Sequence, residues 1–181
     1  MRVEETALPG VLRVTPRRFG DARGFFAETW NARVFGERGI DVRFVQDNHS
    51  LSEAVGTLRG LHFQAPPEAQ GKLVRCARGA FTDVAVDIRR SSPTYGRWIA
   101  EELSEDDATM LWIPPGFAHG FVTRAPRTEI AYKCTGFYAP ECEGAVRWDS
   151  CGIDWRLDAP PVLSGKDAAA PPLSELWSPF P

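Results

Sequence analysis

His62 lies in the run LRGLHFQ (58–64), an imidazole inside an otherwise apolar, strand-like stretch, with Arg59 three positions before it. Imidazole titrates near neutral pH, so a histidine held in such a place can take or give a proton. His119 follows the tight Pro-Pro-Gly corner of LWIPPGFAHGF (111–121), and His49 sits in QDNHS beside the polar Gln46, Asp47 and Asn48. Lys72 opens KLVRCARG (72–79). TEIAYKC (128–134) puts Ile130, Tyr132 and Cys134 on one strand face. Beside a His and a Lys, the Tyr132 phenol becomes a candidate proton donor. Each residue also has a plain structural reading: a satisfied core histidine, a turn, a core tyrosine with its hydroxyl bonded. What separates the readings is whether the fold brings these groups to one place.

The elements that must do so read as strands. Short runs rich in Val, Ile, Phe and Trp are divided by 15 prolines and 16 glycines, the pattern of an all-β sandwich or barrel. In FTDVAVDI (81–88), Val84, Val86 and Ile88 alternate with Asp83, Ala85 and Asp87, giving one greasy face and one able to carry carboxylates. Gly79 marks the turn after KLVRCARG. RWIAEEL, TMLWI, GFVTR and TEIAYKC supply further strands, about ten in all. Helices are minor: one over 31–39, begun by Asn31 as N-cap and ended by Gly39, and a turn at SELW near the C-terminus. The segment after Trp155 is irregular and proline-rich. One parity problem stands out. Strict alternation puts Arg59 and His62 on opposite faces, so if both serve one site, an irregularity is expected at Gly60.

Composition narrows the function. With 43% hydrophobic and 25% charged residues, the 181-residue chain suits one ordinary globular domain over 1–181. A net charge of -3 gives no bulk reason to expect nucleic acid or an anionic membrane. MRVEETALPG has no apolar signal core, and no apolar run is long enough to span a bilayer, so a cytoplasmic location is expected. The four cysteines, Cys76, Cys134, Cys142 and Cys151, form no CxxC pair and are expected as reduced thiols, with Cys76 and Cys134 packing as small hydrophobes.

The histidine motifs resemble those of the cupin superfamily. Gly56 precedes His62 at the motif interval, Glu68 stands at the later acidic position, and Pro114, Gly116 and His119 form the second half. Metal-binding cupins use three His and one Glu. Here Gln64 replaces the second His, and a carboxamide is a poor transition-metal ligand beside imidazole, so a metal-free cup is expected.

The resemblance then becomes more specific. QDNHS, LRGLHFQ, QGKLVRC, DVAVDIRRSSPTYG, LWIPPGFAHGF, YKCT and GIDW resemble the dTDP-4-dehydrorhamnose 3,5-epimerases from about Gly20 to about Asp167. That family implies a cupin-type β-jelly roll with short peripheral helices, a homodimer, and no cofactor or metal. It implies epimerisation of dTDP-4-dehydro-6-deoxy-D-glucose to dTDP-4-dehydro-L-rhamnose. By the same resemblance His62 is the base, Lys72 stabilises the enolate and Tyr132 is the acid. LSGKDAAAP nominates Asp167 as the carboxylate behind the base, with Asp83 a second candidate. DARGFFAET nominates Arg23 and Glu28 for substrate binding, joined by Gln46, Asp47, Asn48, Arg59, His119, Glu143 and Lys166, with Tyr138 stacking on thymine. In the family, some of these come from the partner subunit. TGFYAPECEG departs from the commoner wording at Phe137 and Cys142. The rival expectations are a relative that inverts one carbon or moves the keto group, a metal-dependent cupin oxygenase, and a non-catalytic sugar-nucleotide binding module.

Overall fold

Apolar runs broken by glycine and proline fold here into antiparallel strands, and the breaks become the turns between them. The computed structural model describes residues 1–181. Its strands are β1 (Arg2–Glu5), β2 (Leu12–Thr15), β3 (Arg18–Asp21), β4 (Gly24–Ala27), β5 (Gln46–Ser52), β6 (Leu58–Gln64), β7 (Lys72–Arg78), β8 (Ala80–Asp87), β9 (Trp98–Ser104), β10 (Met110–Ile113), β11 (Phe117–Thr123), β12 (Thr128–Cys134) and β13 (Glu143–Ala145). Two short helices are added, α1 (Ala32–Gly36) before β5 and α2 (Gly165–Ala168) in the C-terminal segment. The strands outnumber the ten or so expected, because the four short ones before Ala27 carry little alternation.

A six-stranded sheet (β1-β2-β10-β7-β12-β5) faces a five-stranded one (β13-β6-β11-β8-β9), and β3-β4 stands apart as a hairpin. This is the all-β sandwich expected from the strand pattern, in the jelly-roll form that the family resemblance implies. One apolar cluster fills the space between the sheets. Val74, Leu111, Ile113 and Ile130 come from the larger sheet, and Phe81, Ala85, Ile99, Leu103, Phe117 and Phe121 from the smaller. Burying each such Val, Leu, Ile or Phe side chain contributes about 1.5–3 kcal/mol. The outer face of the smaller sheet is covered in turn. Leu58, Leu61, Val84, Val86 and Ile88 pack under Val146, Trp155 and Phe180 of the C-terminal segment. β8 is therefore buried on both faces, and its inner face carries Asp83 at 0% exposure.

Helix α1 begins as expected, with the Asn31 side chain accepting from Arg33 and Val34 N–H. It stops at Gly36 rather than Gly39. Gly39, at φ +88°, lies in the turn that follows, where Ile40 N–H bonds back to Phe35 C=O. SELW gives only a 3₁₀ turn over Leu173–Glu175. Helix α2 went unforeseen in the irregular segment. Cys76 and Cys134 are buried, and all four cysteines are free.

The parity problem is resolved at Gly60. In the β6–β11 pairing, His119 lies opposite His62 but Phe121 lies opposite Arg59, so β6 holds one extra residue, a bulge. Gly60 has φ +129°, and a Cβ there would stand 2.5 Å from Gly120 Cα and 2.9 Å from His119 O. Only glycine allows this approach. As a result Leu58 and Leu61 share the outer cluster, while Arg59 and His62 both turn toward one cavity.

Candidate active site

The inner faces of β6, β7, β11 and β12 and the strap around α2 enclose a cup. Its larger lobe, about 450 Å³, is lined by Arg59, His62, Lys72, His119, Tyr132 and Asp167, among others. A neighbouring lobe of about 270 Å³ adds Gln46, Asn48, Gln64, Gln70, Tyr138 and Glu143. His62, Lys72 and Tyr132 line both lobes, so they stand where the two meet.

The strap brings a carboxylate to His62. Val162 pairs beside the start of β6, with Leu58 N–H donating to Val162 C=O at 3.0 Å and Val162 N–H to Gly56 C=O at 2.9 Å. Ser164 then caps α2. Asp167, 3% exposed, thereby meets His62: its Oδ1 is 2.5 Å from Nε2. Of the two carboxylates nominated, Asp167 is the one paired with His62. Asp83 pairs with His119 instead, Oδ1 to Nε2 at 2.6 Å. An ionised Asp167 fixes the proton on His62 Nε2 and leaves Nδ1 as the basic nitrogen. Burial lowers the His62 pKa, opposed by the Asp167 charge, so the imidazole is neutral and able to accept a proton at neutral pH.

The Lys72 ammonium has no hydrogen bond to the protein. Burial lowers its pKa, and the charges of Asp83 and Glu143 act in the opposite direction. Tyr132 shares the inner face with Ile130 and Cys134, and burial raises its pKa, so the phenol holds its proton at neutral pH. At the rim, Lys166 Nζ lies 2.6 Å from Glu143 Oε2, which accepts from the Tyr138 hydroxyl at 3.0 Å. Gln64 serves the same rim. Its amide donates to the carbonyls of Glu68 and Phe137 and its oxygen accepts from Ala139 N–H, which clamps the loop carrying Tyr138. Glu68 itself is exposed and lines neither lobe. The residues of the metal-cupin motif are thus engaged elsewhere: both imidazole Nε2 atoms with carboxylates, Gln64 with backbone.

Three nominated residues do not reach the cup of their own chain. Arg23 is paired with Asp21 in the exposed β3–β4 hairpin, and Glu28 accepts from Asn31. Asp47 points to the other side of β5 and bonds Lys133 Nζ at 2.9 Å. Gln46 and Asn48, one residue either side, face inward, as alternation requires. One residue beside the His62–Asp167 pair was missed: Ser164, whose hydroxyl donates to Asp167 Oδ2 at 2.8 Å. The Ser-x-x-Asp spacing of SGKD was the available signal.

A jelly roll whose cup brings together a neutral imidazole, an ammonium and a phenol belongs to the acid–base enzymes that move protons on a bound ligand. The comparisons with known proteins sharpen this. A family model described as dTDP-4-dehydrorhamnose 3,5-epimerase matches residues 5–175. The enzyme of that name from Salmonella typhimurium is 53% identical over 178 residues, covering 97% of each chain. A crystal structure of the dTDP-6-deoxy-D-glucose-3,5-epimerase of Legionella pneumophila, in complex with dTDP-4-keto-L-rhamnose, superposes with a TM-score of 0.93 at 44% identity, covering 97% of this chain and 94% of that one. A 3'-monoepimerase from Streptomyces bikiniensis, in complex with dTDP-quinovose, is more distant: 32% identity and TM-score 0.88, covering 93% and 86%. This chain belongs to the dTDP-4-dehydrorhamnose 3,5-epimerase family.

Proposed function

We propose that this chain is an isomerase that inverts C3 and C5 of dTDP-4-dehydro-6-deoxy-D-glucose, giving dTDP-4-dehydro-L-rhamnose for dTDP-L-rhamnose biosynthesis. The observation that carries the reading is the meeting of His62, Lys72 and Tyr132 at the junction of the two lobes, with Asp167 behind the histidine. The 4-keto group acidifies the hydrogens on both neighbouring carbons. His62 Nδ1 takes one of them. The electron pair moves to the keto oxygen, where the Lys72 ammonium meets the enolate charge. The Tyr132 phenol returns a proton to the carbon from the opposite face, which inverts it. Imidazolium and phenolate then re-equilibrate with solvent, and the cycle repeats at the second carbon. Arg59 and Lys166 serve the diphosphate, with His119, Gln46, Asn48 and Glu143 beside it, and Tyr138 stacks on thymine.

The working unit is a homodimer of single epimerase domains spanning 1–181. Arg23 and Glu28 reach a cup only if a second copy supplies them, and the hairpin bearing Arg23 exposes Phe25 at 62% and Phe26 at 67%. No helix is long and apolar enough to cross a membrane. We place the reaction in the cytoplasm.

The similarity to the 3'-monoepimerase favours a second reading, inversion of one carbon. Proton NMR of the substrate with enzyme in heavy water separates the two. Deuterium entering at C3 and C5, with inversion at each, supports the main reading. Exchange confined to one carbon supports the second.

A further inference from the structure

We infer that Ser164 is a positioning residue for the base: its hydroxyl fixes the Asp167 carboxylate that holds His62. The inference rests on the reading of His62 as the base. Ser164 and Asp167 are joined twice. The Asp167 N–H donates to Ser164 Oγ at 3.1 Å, and the Ser164 hydroxyl donates to Asp167 Oδ2 at 2.8 Å. The other oxygen, Oδ1, is thereby the one presented to His62 Nε2 at 2.5 Å. Each carboxylate oxygen has a single side-chain donor, one from the strap and one from the base. The second His–Asp pair of the cup lacks this arrangement. Asp83 Oδ2 is buried with no hydrogen-bond partner. The hydroxyl therefore distinguishes the two pairs.

Removing the hydroxyl leaves a buried carboxylate with His62 as its only remaining side-chain donor. Such a carboxylate attracts the imidazole proton more strongly, so the protonated form of His62 gains stability. The other charged or titratable groups around His62 stay in place: Arg59 on β6, Lys72 on β7, Glu143 on β13, His119 on β11, Tyr132 on β12 and Lys166 on α2. The change at His62 is then traceable to Asp167.

Ser164 also caps α2, and the variants must separate capping from donation. Gly is tolerated as an N-cap at a cost of only a few tenths of a kcal/mol relative to Ser, but has no hydroxyl. Thr keeps both functions. With three histidines in the chain, the imidazole NMR signal of His62 can be assigned by single substitution. Ser164→Ala and Ser164→Gly should both move the His62 titration to higher pH. The acidic limb of kcat/KM should follow, lowering activity at neutral pH by roughly three- to tenfold, the effect of one ordinary hydrogen bond. Ser164→Thr should restore both. An unmoved titration, or failure of Thr to restore it, overturns the inference. So does a shift to lower pH, which would mean that Asp167 has left His62 and that the hydroxyl only caps the helix. If the titration moves as expected but the rate profile does not follow, Ser164 positions Asp167 and it is His62 as base that fails.

Discussion

Lys72 offers a perturbation with opposite effects on stability and activity. Its ammonium lies in the cup without a hydrogen bond, and burial holds its pKa below the usual lysine value. A buried cation with no bonded partner costs the folded state free energy. Lys72→Met removes the charge and keeps an unbranched chain of similar length. The folded state should gain about 1 kcal/mol, raising Tm by about 2–4 °C for a chain of this size. In the proposed mechanism the enolate, in contrast, loses the charge that faces it. Removing one such group costs about 2.7–4 kcal/mol in the transition state, a fall of about 10²–10³ in kcat. KM should change little, because the charge it meets is absent from the ground state. The assay is a thermal melt alongside steady-state kinetics on the same preparation. A normal kcat with a raised KM would make Lys72 a phosphate clamp. A Tm lowered by several degrees would refute the claim that the ammonium is unpartnered in the folded protein.

Further expectations concern the His62–Asp167 pair, the proposed homodimer and a buried aspartate remote from the cup. Asp167→Asn lets an amide donate to His62 Nε2 and drive the ring proton onto Nδ1, so kcat should fall about 10²–10⁴-fold. The His62 titration should also move to lower pH, since Asp167 is the charge that raises it. Arg23→Ala and His62→Ala proteins, each inactive or impaired alone, should regain activity when mixed and allowed to exchange subunits. No regain would place Arg23 outside the partner's cup. Asp87 is fully buried, and although burial alone would raise its pKa, donors from Arg89, Ser92 and Thr94 outweigh that and hold it at about 2. Its contribution, about 2 kcal/mol from the linkage relation, is present above the unfolded-state carboxylate pKa and is lost as pH falls toward 2. Asp87→Asn should therefore flatten the acid limb of stability measured by urea unfolding.

The strands of the cup were legible because their side chains alternate. Val84, Val86 and Ile88 against Asp83 and Asp87, and Ile130 with Tyr132 and Cys134, follow period 2 as drawn. The break between Arg59 and His62 was legible for the same reason: two residues wanted on one face, with a glycine between them, require a bulge. The pairing of His119 with Asp83 was not, since 36 residues separate them and no local rule links them. Asp167 was found through resemblance rather than through any pattern of its own. The helix that carries it has four residues, too few for periodicity to show. Helix α1 stops early because Ile40 N–H and Gly39 close the turn, a local bond that capping rules place only to within a few residues. Arg23 and Glu28 read as site residues by resemblance, yet one chain leaves them exposed and outside its own cup, which is the reason a second copy is proposed to supply them.

The central claim is that His62 removes the proton and Tyr132 returns one from the opposite face. Tyr132→Phe keeps the ring that packs on Ile130 and the core and removes only the hydroxyl. Incubated with substrate in heavy water, this variant should still wash deuterium into the sugar through His62, while epimerised product forms far more slowly. Both rates come from one NMR sample. Equal proportional losses of exchange and inversion, or no loss of either, would contradict the assignment of Tyr132 as the acid.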